Sequence, residues 1–203
     1  MQIRQLSIAG AYEVTPDLHT DDRGTFLEWY RFDALEAVIG HPLDLRQANT
    51  SVSRRGVVRG IHFADFPRGQ AKYITVARGS VLDFVVDIRI GSPTYGKWES
   101  AVLDDQQHHA LYLSEGLGHL FVAREDDTTV SYLVSDVYNP TAEHGINPFD
   151  SDIALVFPSD LPELLVSDKD RDAPSLAELA AAGTLPTLQA ANAYYARLNE
   201  TGR

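Results

Sequence analysis

The feature that most constrains the fold is a regular cadence of short runs rich in β-branched and aromatic residues, at 56–63, 72–77, 81–88, 98–103, 110–113, 120–123 and 129–134, with turn signals between them. Such spacing points to a sandwich or barrel and away from alternating β and α units. In the run 81–88, Leu82, Phe84, Val86 and Ile88 share one face of a strand, while Asp83, Val85 and Asp87 share the other. Asp83 is therefore expected on a lined, partly polar face. A chain of 203 residues suits one domain with a sizeable core. We expect an all-β domain over residues 1–172 and a helical extension over 173–203 packed on it.

Helical signal is confined to two places. The run 32–39 is apolar enough for one or two turns and is stopped by Gly40 and Pro42. Near the C-terminus, Ser175 and Glu178 form a capping-box pattern after Pro174, Leu176, Leu179 and Ala180 follow at helical spacing, and Gly183 is a natural stop. Leu188, Ala191, Tyr195 and Leu198 then form a second amphipathic stripe, whose plain reading is structural cover for the barrel.

Composition excludes several classes. There is no cysteine, hence no disulfide framework, thiolate metal site or cysteine nucleophile. The opening MQIRQLSIAG lacks the basic start and the apolar run of roughly 7 to 15 residues of a signal peptide, and no segment approaches the ~20 apolar residues of a membrane span. The expectation is a soluble, cytoplasmic protein. A net charge of -12 argues against a general nucleic-acid surface, which needs Lys and Arg to neutralise phosphates. It leaves room for one anionic ligand, because surface charge beyond ~8 Å is heavily screened and a few converging cations outweigh the global field. Arg23, Arg59, Lys72 and Lys169 are the candidates.

Short polar motifs interrupt the β-rich sequence: Asp22-Arg23-Gly24, Arg59-Gly60-Ile61-His62, Pro67-Arg68-Gly69-Gln70-Ala71-Lys72, Ser92-Pro93-Thr94-Tyr95-Gly96 and Ser167-Asp168-Lys169-Asp170. Taken with His119, Tyr132 and Tyr138, their order and spacing from residue 1 to about 170 resemble the dTDP-4-dehydrorhamnose 3,5-epimerase family, which acts on dTDP-4-keto-6-deoxyhexoses. The resemblance implies a cupin-type β-barrel, a jelly roll of antiparallel sheets, and an epimerase that inverts C3, C5 or both without a cofactor or metal. It implies a dTDP-sugar substrate and a homodimer whose site is shared between subunits, with neither nucleic acid nor membrane as partner.

Removing a proton beside a ketone near neutral pH needs a base that is mostly unprotonated yet still basic, and a histidine with its ordinary pKa of about 6.5 suits the task. Alone, a histidine ending an apolar strand is more often structural. Its motif and its match to the family's base favour His62 as that base. A base works best when a carboxylate fixes its tautomer. By composition Asp168, Asp170 and Asp172 are equal rivals in an acidic loop, and only the Ser-x-Lys-Asp motif of the family favours Asp170. A cation aimed at the developing enolate oxygen is also required. Lys72 matches the family's lysine, and its alternation with Ile74 and Val76 puts it on the apolar, barrel-facing side. Inversion needs a proton from the opposite face. Tyr132 matches the family's acid, although a strand tyrosine is by itself a common core filler.

The resemblance further assigns Tyr138 as a platform for the thymine ring, and Arg23, Glu28, Gln47, Asn49, Arg59, His119, Glu143 and Lys169 as substrate ligands, with Phe26 lining the same pocket. The segment carrying Arg23 and Glu28 is expected from the neighbouring subunit. One point resists a regular strand: Arg59 and His62 have opposite parity. Either Gly60 permits a bulge that brings them together, or Arg59 serves another part of the site.

Where family members commonly read Ala-His-Gly-Phe, this chain has Gly118-His119-Leu120-Phe121. Leucine fills more volume than glycine and avoids φ > 0, so the pocket near His119 is expected to differ. A mono-epimerase of an antibiotic deoxysugar pathway is the first alternative. A metal-dependent cupin is a second, but its convergent histidines are lacking: there is no His-x-His, and the adjacent His108 and His109 point to opposite faces of a strand. A non-catalytic sugar-nucleotide binder is the third. It needs the arginines and stacking aromatics, but not His62, Lys72, Tyr132 and Asp170 together.

Overall fold

The computed structural model describes residues 1–161 and 163–201. Two sheets face each other, as expected of a cupin-type barrel. The first runs in the order β1 (Gln2–Gln5), β2 (Ala11–Thr15), β10 (Ala110–Leu113), β7 (Lys72–Arg78), β12 (Thr128–Val134), β5 (Gln47–Ser53). The second runs β13 (Glu143–Gly145), β6 (Val57–Ala64), β11 (Leu117–Ala123), β8 (Ser80–Asp87), β9 (Trp98–Asp104), with the short β14 (Leu165–Val166) alongside β6. Every pairing between these strands is antiparallel except β14 with β6. A separate hairpin of β3 (Leu18–Asp21) and β4 (Gly24–Leu27) forms an exposed arm.

Alternation along the strands sorts side chains into three apolar layers. Ile74 and Val76 of β7 meet Val85 of β8 and Phe121 of β11 between the sheets. The opposite faces of the same strands are also covered. Phe84, Val86, Ile88 and Leu120 pack under Leu176 and Leu179, and Tyr73, Tyr112 and Leu133 pack under Leu35 and Leu43. The face assignment read for 81–88 holds: Asp83 and Val85 point inward, and Phe84 and Val86 outward. Each large side chain buried in these layers contributes roughly 1.5–3 kcal/mol.

The helices follow their end signals. α1 (Phe32–Ile39) ends at Gly40 with φ +87°. α3 (Leu176–Ala182) starts in a complete capping box, Ser175 Oγ accepting from Glu178 N at 3.2 Å and Glu178 Oε2 accepting from Ser175 N at 2.8 Å. α4 (Leu188–Thr201) carries the second stripe, with Ala191 fully buried. Residues 202 and 203 of the expected extension lie outside the described residues. The acidic loop of the sequence reading is in fact a single helical turn, α2 (Asp168–Arg171), because Ser167 Oγ caps Asp170 N at 3.1 Å.

One irregularity shapes the interior. β6 and β11 pair His62 with His119 but Arg59 with Phe121, so three steps along β6 span two along β11. This bulge resolves the parity conflict, since His119 and Phe121 share a face and Arg59 and His62 stand opposite them. Gly60 makes it possible. Its φ is +121°, and a Cβ there would lie 2.4 Å from His119 O and 2.8 Å from Leu120 Cα. Gly60→Ala is accordingly expected to lose at least ~1–3 kcal/mol from backbone strain alone, read as a lowered midpoint in urea unfolding, with the steric conflict adding to it.

Candidate active site

A cavity of about 460 Å³ opens between the two sheets at one end of the barrel. The first sheet lines it by parity. Lys72 pairs with Val134, and Tyr132 pairs with Ile74 on one side and Asn49 on the other. Lys72, Tyr132, Asn49, Gln47 and Ser51 therefore share the face that looks inward. The second sheet supplies Arg59, His62 and His119 through the bulge, while Asp170 and Lys169 come from α2 and Glu143 from β13. Eleven of the fourteen residues singled out in the sequence meet at this cavity.

The other three do not. Arg23, Phe26 and Glu28 lie on or beside the exposed arm, with Phe26 67% exposed. Arg23 pairs with Asp21 at 2.5 Å and Glu28 with Arg31 at 3.4 Å. Within one chain they are apart from the cavity. Leu18 and Phe32 are also exposed near them, giving an apolar surface of the kind that marks an interaction site.

His62 Nε2 lies 2.7 Å from Asp170 Oδ1. Burial pushes the Asp170 carboxyl up, but the hydrogen bond and charge of His62, with Ser167 and the backbone of Gly60, outweigh it and hold the group below the usual carboxylate range. An ionised carboxylate only accepts, so Nε2 carries the proton and Nδ1 is the ring's basic nitrogen. Asp170 itself is buried, whereas the His62 side chain is 38% exposed to the cavity.

Lys72 is buried, and burial pushes its amine down to about 8, with the Glu143 carboxylate partly opposing the fall. Its Nζ donates to Gln70 Oε1, and Gln70 Nε2 donates to Asp136 O at 3.2 Å, which fixes where the cation sits. Burial raises the Tyr132 hydroxyl, with Glu143 adding to the rise and Arg59 opposing it, so the group stays protonated. Tyr138 is 57% exposed at the rim, and its amide is held by Gln47 Oε1 at 2.9 Å. Gln47 also donates to Asn49 Oδ1 at 2.7 Å, and Arg59 Nε donates to Ser53 Oγ at 3.2 Å.

The structure adds three residues. Asp83 is fully buried and both its oxygens lie 2.9 Å from His119 Nε2, so His119 has a carboxylate partner as His62 does. Burial raises the Asp83 carboxyl despite the opposing charge and hydrogen bond of His119. Its inward parity was legible, its partner was not. Gln70 orients Lys72, and adjacency in Gln70-Ala71-Lys72 was the available signal. Ser51 Oγ is buried in the lining without a hydrogen-bond partner, a position that only the register reveals.

Two expectations change. Leu120 lies wholly in the outer layer under α3 and does not line the cavity, so the local departure at this position does not reshape the pocket through its side chain. Gly118, not Leu120, is the tight position on β11: a Cβ there would meet Ile61 Cγ2 at 2.8 Å. His108 is not a strand residue but stands in the turn after β9 with φ +55°. Among the described residues no three His, Cys, Asp or Glu side chains converge as a metal-holding group.

Comparison with known proteins shows the family and the fold. The family model described as dTDP-4-dehydrorhamnose 3,5-epimerase matches residues 5–178. A dTDP-4-dehydrorhamnose 3,5-epimerase of Mycolicibacterium smegmatis is 54% identical over 187 residues, 92% of either chain. A dTDP-4-dehydrorhamnose 3-epimerase of Streptomyces niveus is also 54% identical over 187 residues, 92% of this chain and 89% of the other. The solved structure of the rmlC epimerase of Mycobacterium tuberculosis superposes with a TM-score of 0.95 at 47% identity, covering 98% of this chain and 100% of that one.

The depressed lysine is directly measurable. The chain has three lysines, so ¹³Cε-lysine NMR should resolve Lys72 with a midpoint near 8. Because the Glu143 carboxylate holds that value up, Glu143→Gln should lower the midpoint further.

Proposed function

The chain belongs to the dTDP-4-dehydrorhamnose 3,5-epimerase family of isomerases, and from that premise we propose that it epimerises a dTDP-4-keto-6-deoxyhexose beside the ketone. The observation that carries the reading is the set His62–Asp170, Lys72 and Tyr132 around one cavity. C3 and C5 are the two carbons acidified by a C4 carbonyl, so this machinery acts at one or both of them.

In the proposed step His62 Nδ1 takes the proton from the carbon while Asp170 retains the Nε2–H tautomer and stabilises the imidazolium. The electron pair of the C–H bond moves into the carbonyl, and the Lys72 ammonium neutralises the resulting oxygen where the charge appears. Tyr132, kept protonated by its surroundings, returns a proton to the opposite face and is reprotonated by solvent. Arg59 and Lys169 face the diphosphate, and Tyr138 offers its exposed ring to the thymine. Inversion at a single carbon is the second reading, favoured by the 3-epimerase name of a relative as similar as the 3,5-epimerase.

We further propose a homodimer in which the arm carries Arg23, Phe26 and Glu28 to the partner's cavity. The exposed apolar residues of that arm support it. In this reading the reaction uses no cofactor, and residues 1–172 form the catalytic unit.

The test is NMR in D₂O with dTDP-4-keto-6-deoxyglucose, reading exchange and inversion at C3 and C5 separately. His62→Ala should lose both by ~10² to 10⁴ with dTDP affinity kept. Tyr132→Phe should lose inversion far more than exchange; equal losses would remove Tyr132 from the acid role. Exchange at one carbon alone identifies a mono-epimerase, and no exchange at either a binder. The shared site has its own test. Arg23→Ala and His62→Ala, each impaired alone, should regain activity on mixing under subunit exchange, whereas a stable and fully active monomer would contradict the arrangement.

A further inference from the structure

A second cavity, of about 400 Å³, lies on the outer face of the first sheet, between β10 and α4. Its depth holds two side chains that are almost wholly buried yet incompletely paired. Glu115 is 3% exposed and Tyr112 1%. Glu115 Oε1 accepts from Ser135 Oγ at 3.1 Å, but Glu115 Oε2 and Tyr112 Oη have no hydrogen-bond partner. An unpaired buried acceptor costs ~1–3 kcal/mol, and a carboxylate more, so the arrangement calls for something to fill it.

The surrounding charge says what kind of guest. At the rim Arg46 is bound to Asp44 at 2.5 Å and Arg68 faces Asp136 at 3.9 Å, so these cations are matched by their own carboxylates. Neither of these rim arginines is paired with Glu115. An anionic guest would meet an uncompensated carboxylate, and a hard divalent cation needs more oxygen ligands than one carboxylate supplies. The walls are aromatic: Tyr112, Tyr194 and the buried His41, whose ring stacks on Tyr195 at 6.3 Å. The Tyr194 ring already holds a cation, the Arg197 guanidinium 5.9 Å from its centroid, and aromatic walls beside a buried carboxylate suit an organic ammonium.

We propose that this cavity is a ligand site distinct from the substrate cavity, and that it takes a small primary ammonium against the Glu115 carboxylate, with Tyr112 beside it. Burial holds the Glu115 carboxyl up at about 7, so a cationic guest ionises it and releases a proton on binding near neutral pH.

The test is calorimetric titration of the whole chain at pH 8 with putrescine, and with glycerol as a neutral probe. Putrescine should saturate at one per chain and raise the melting temperature, while glycerol should do neither. Glu115→Gln should weaken putrescine by tenfold or more and Tyr112→Phe by several-fold, with Glu143→Gln in the other cavity leaving it unchanged. In the unmodified chain affinity should fall about tenfold per unit as pH drops below 7, because the carboxyl gains a proton. His41, Asp44 and Asp136 also face this space, so that pH dependence must persist in His41→Asn and in Asp44→Asn/Asp136→Asn. Failure of putrescine to bind, equal binding of glycerol, or indifference to both pH and Glu115→Gln would overturn the proposal and leave a water-filled cavity.

Discussion

Charge taken between two sheets must be matched there, and the architecture of the barrel end follows from that requirement. Lys72, Asp83, His119 and Asp170 are buried beside a layer built of Ile74, Val76, Val85 and Phe121. An isolated ion at such a place is several kcal/mol unfavourable. Each is held by named partners: Gln70 for the ammonium, His119 for Asp83, and His62 with the capped turn for Asp170. The lysine alone lacks a contacting counter-ion, and its pKa near 8 is the mark of that. A group so poised is a cation at neutral pH that gains most when a negative oxygen is presented to it.

Much of this was legible from the chain. The cadence of β-branched runs locates β6 to β12, since most of those strands are buried and their composition reports it, β9 being covered on one side only in part. Gly40, Ser175, Glu178 and Gly183 located helix ends because caps are local chemistry. The arm and the shortest strands carry no such signal: β3 and β4 are largely exposed and show no alternation, and β13 and β14 are only three and two residues long. The turn α2 gives no periodic signal, because four residues are too few.

The cavity was legible in a different way. Parity along β7 placed Lys72 with Ile74 on the inner face, and the register bears this out. Parity along β6 could not choose between a bulge and two separate roles, because the answer lies in a close approach of Gly60 to β11. The contact of His62 with Asp170 joins residues 108 apart, and no local pattern ranks Asp170 above Asp168 or Asp172. Resemblance supplied that pairing. It offered no warning that Leu120 turns away from the site, which alternation along β11 dictates once His119 faces inward.

The alternation on β7 has a wider consequence. Lys72 and Ile74 face inward while Ala71 and Tyr73 pack outward under α1, so odd and even letters of one short word answer to different demands. Substitutions on the inner letters are free to retune what the cavity accepts without disturbing the outer layer. A one-residue insertion or deletion exchanges the two alphabets and ruins both at once. Descent among chains of this build should therefore proceed in these strands by replacement, with gains and losses of length confined to the connections.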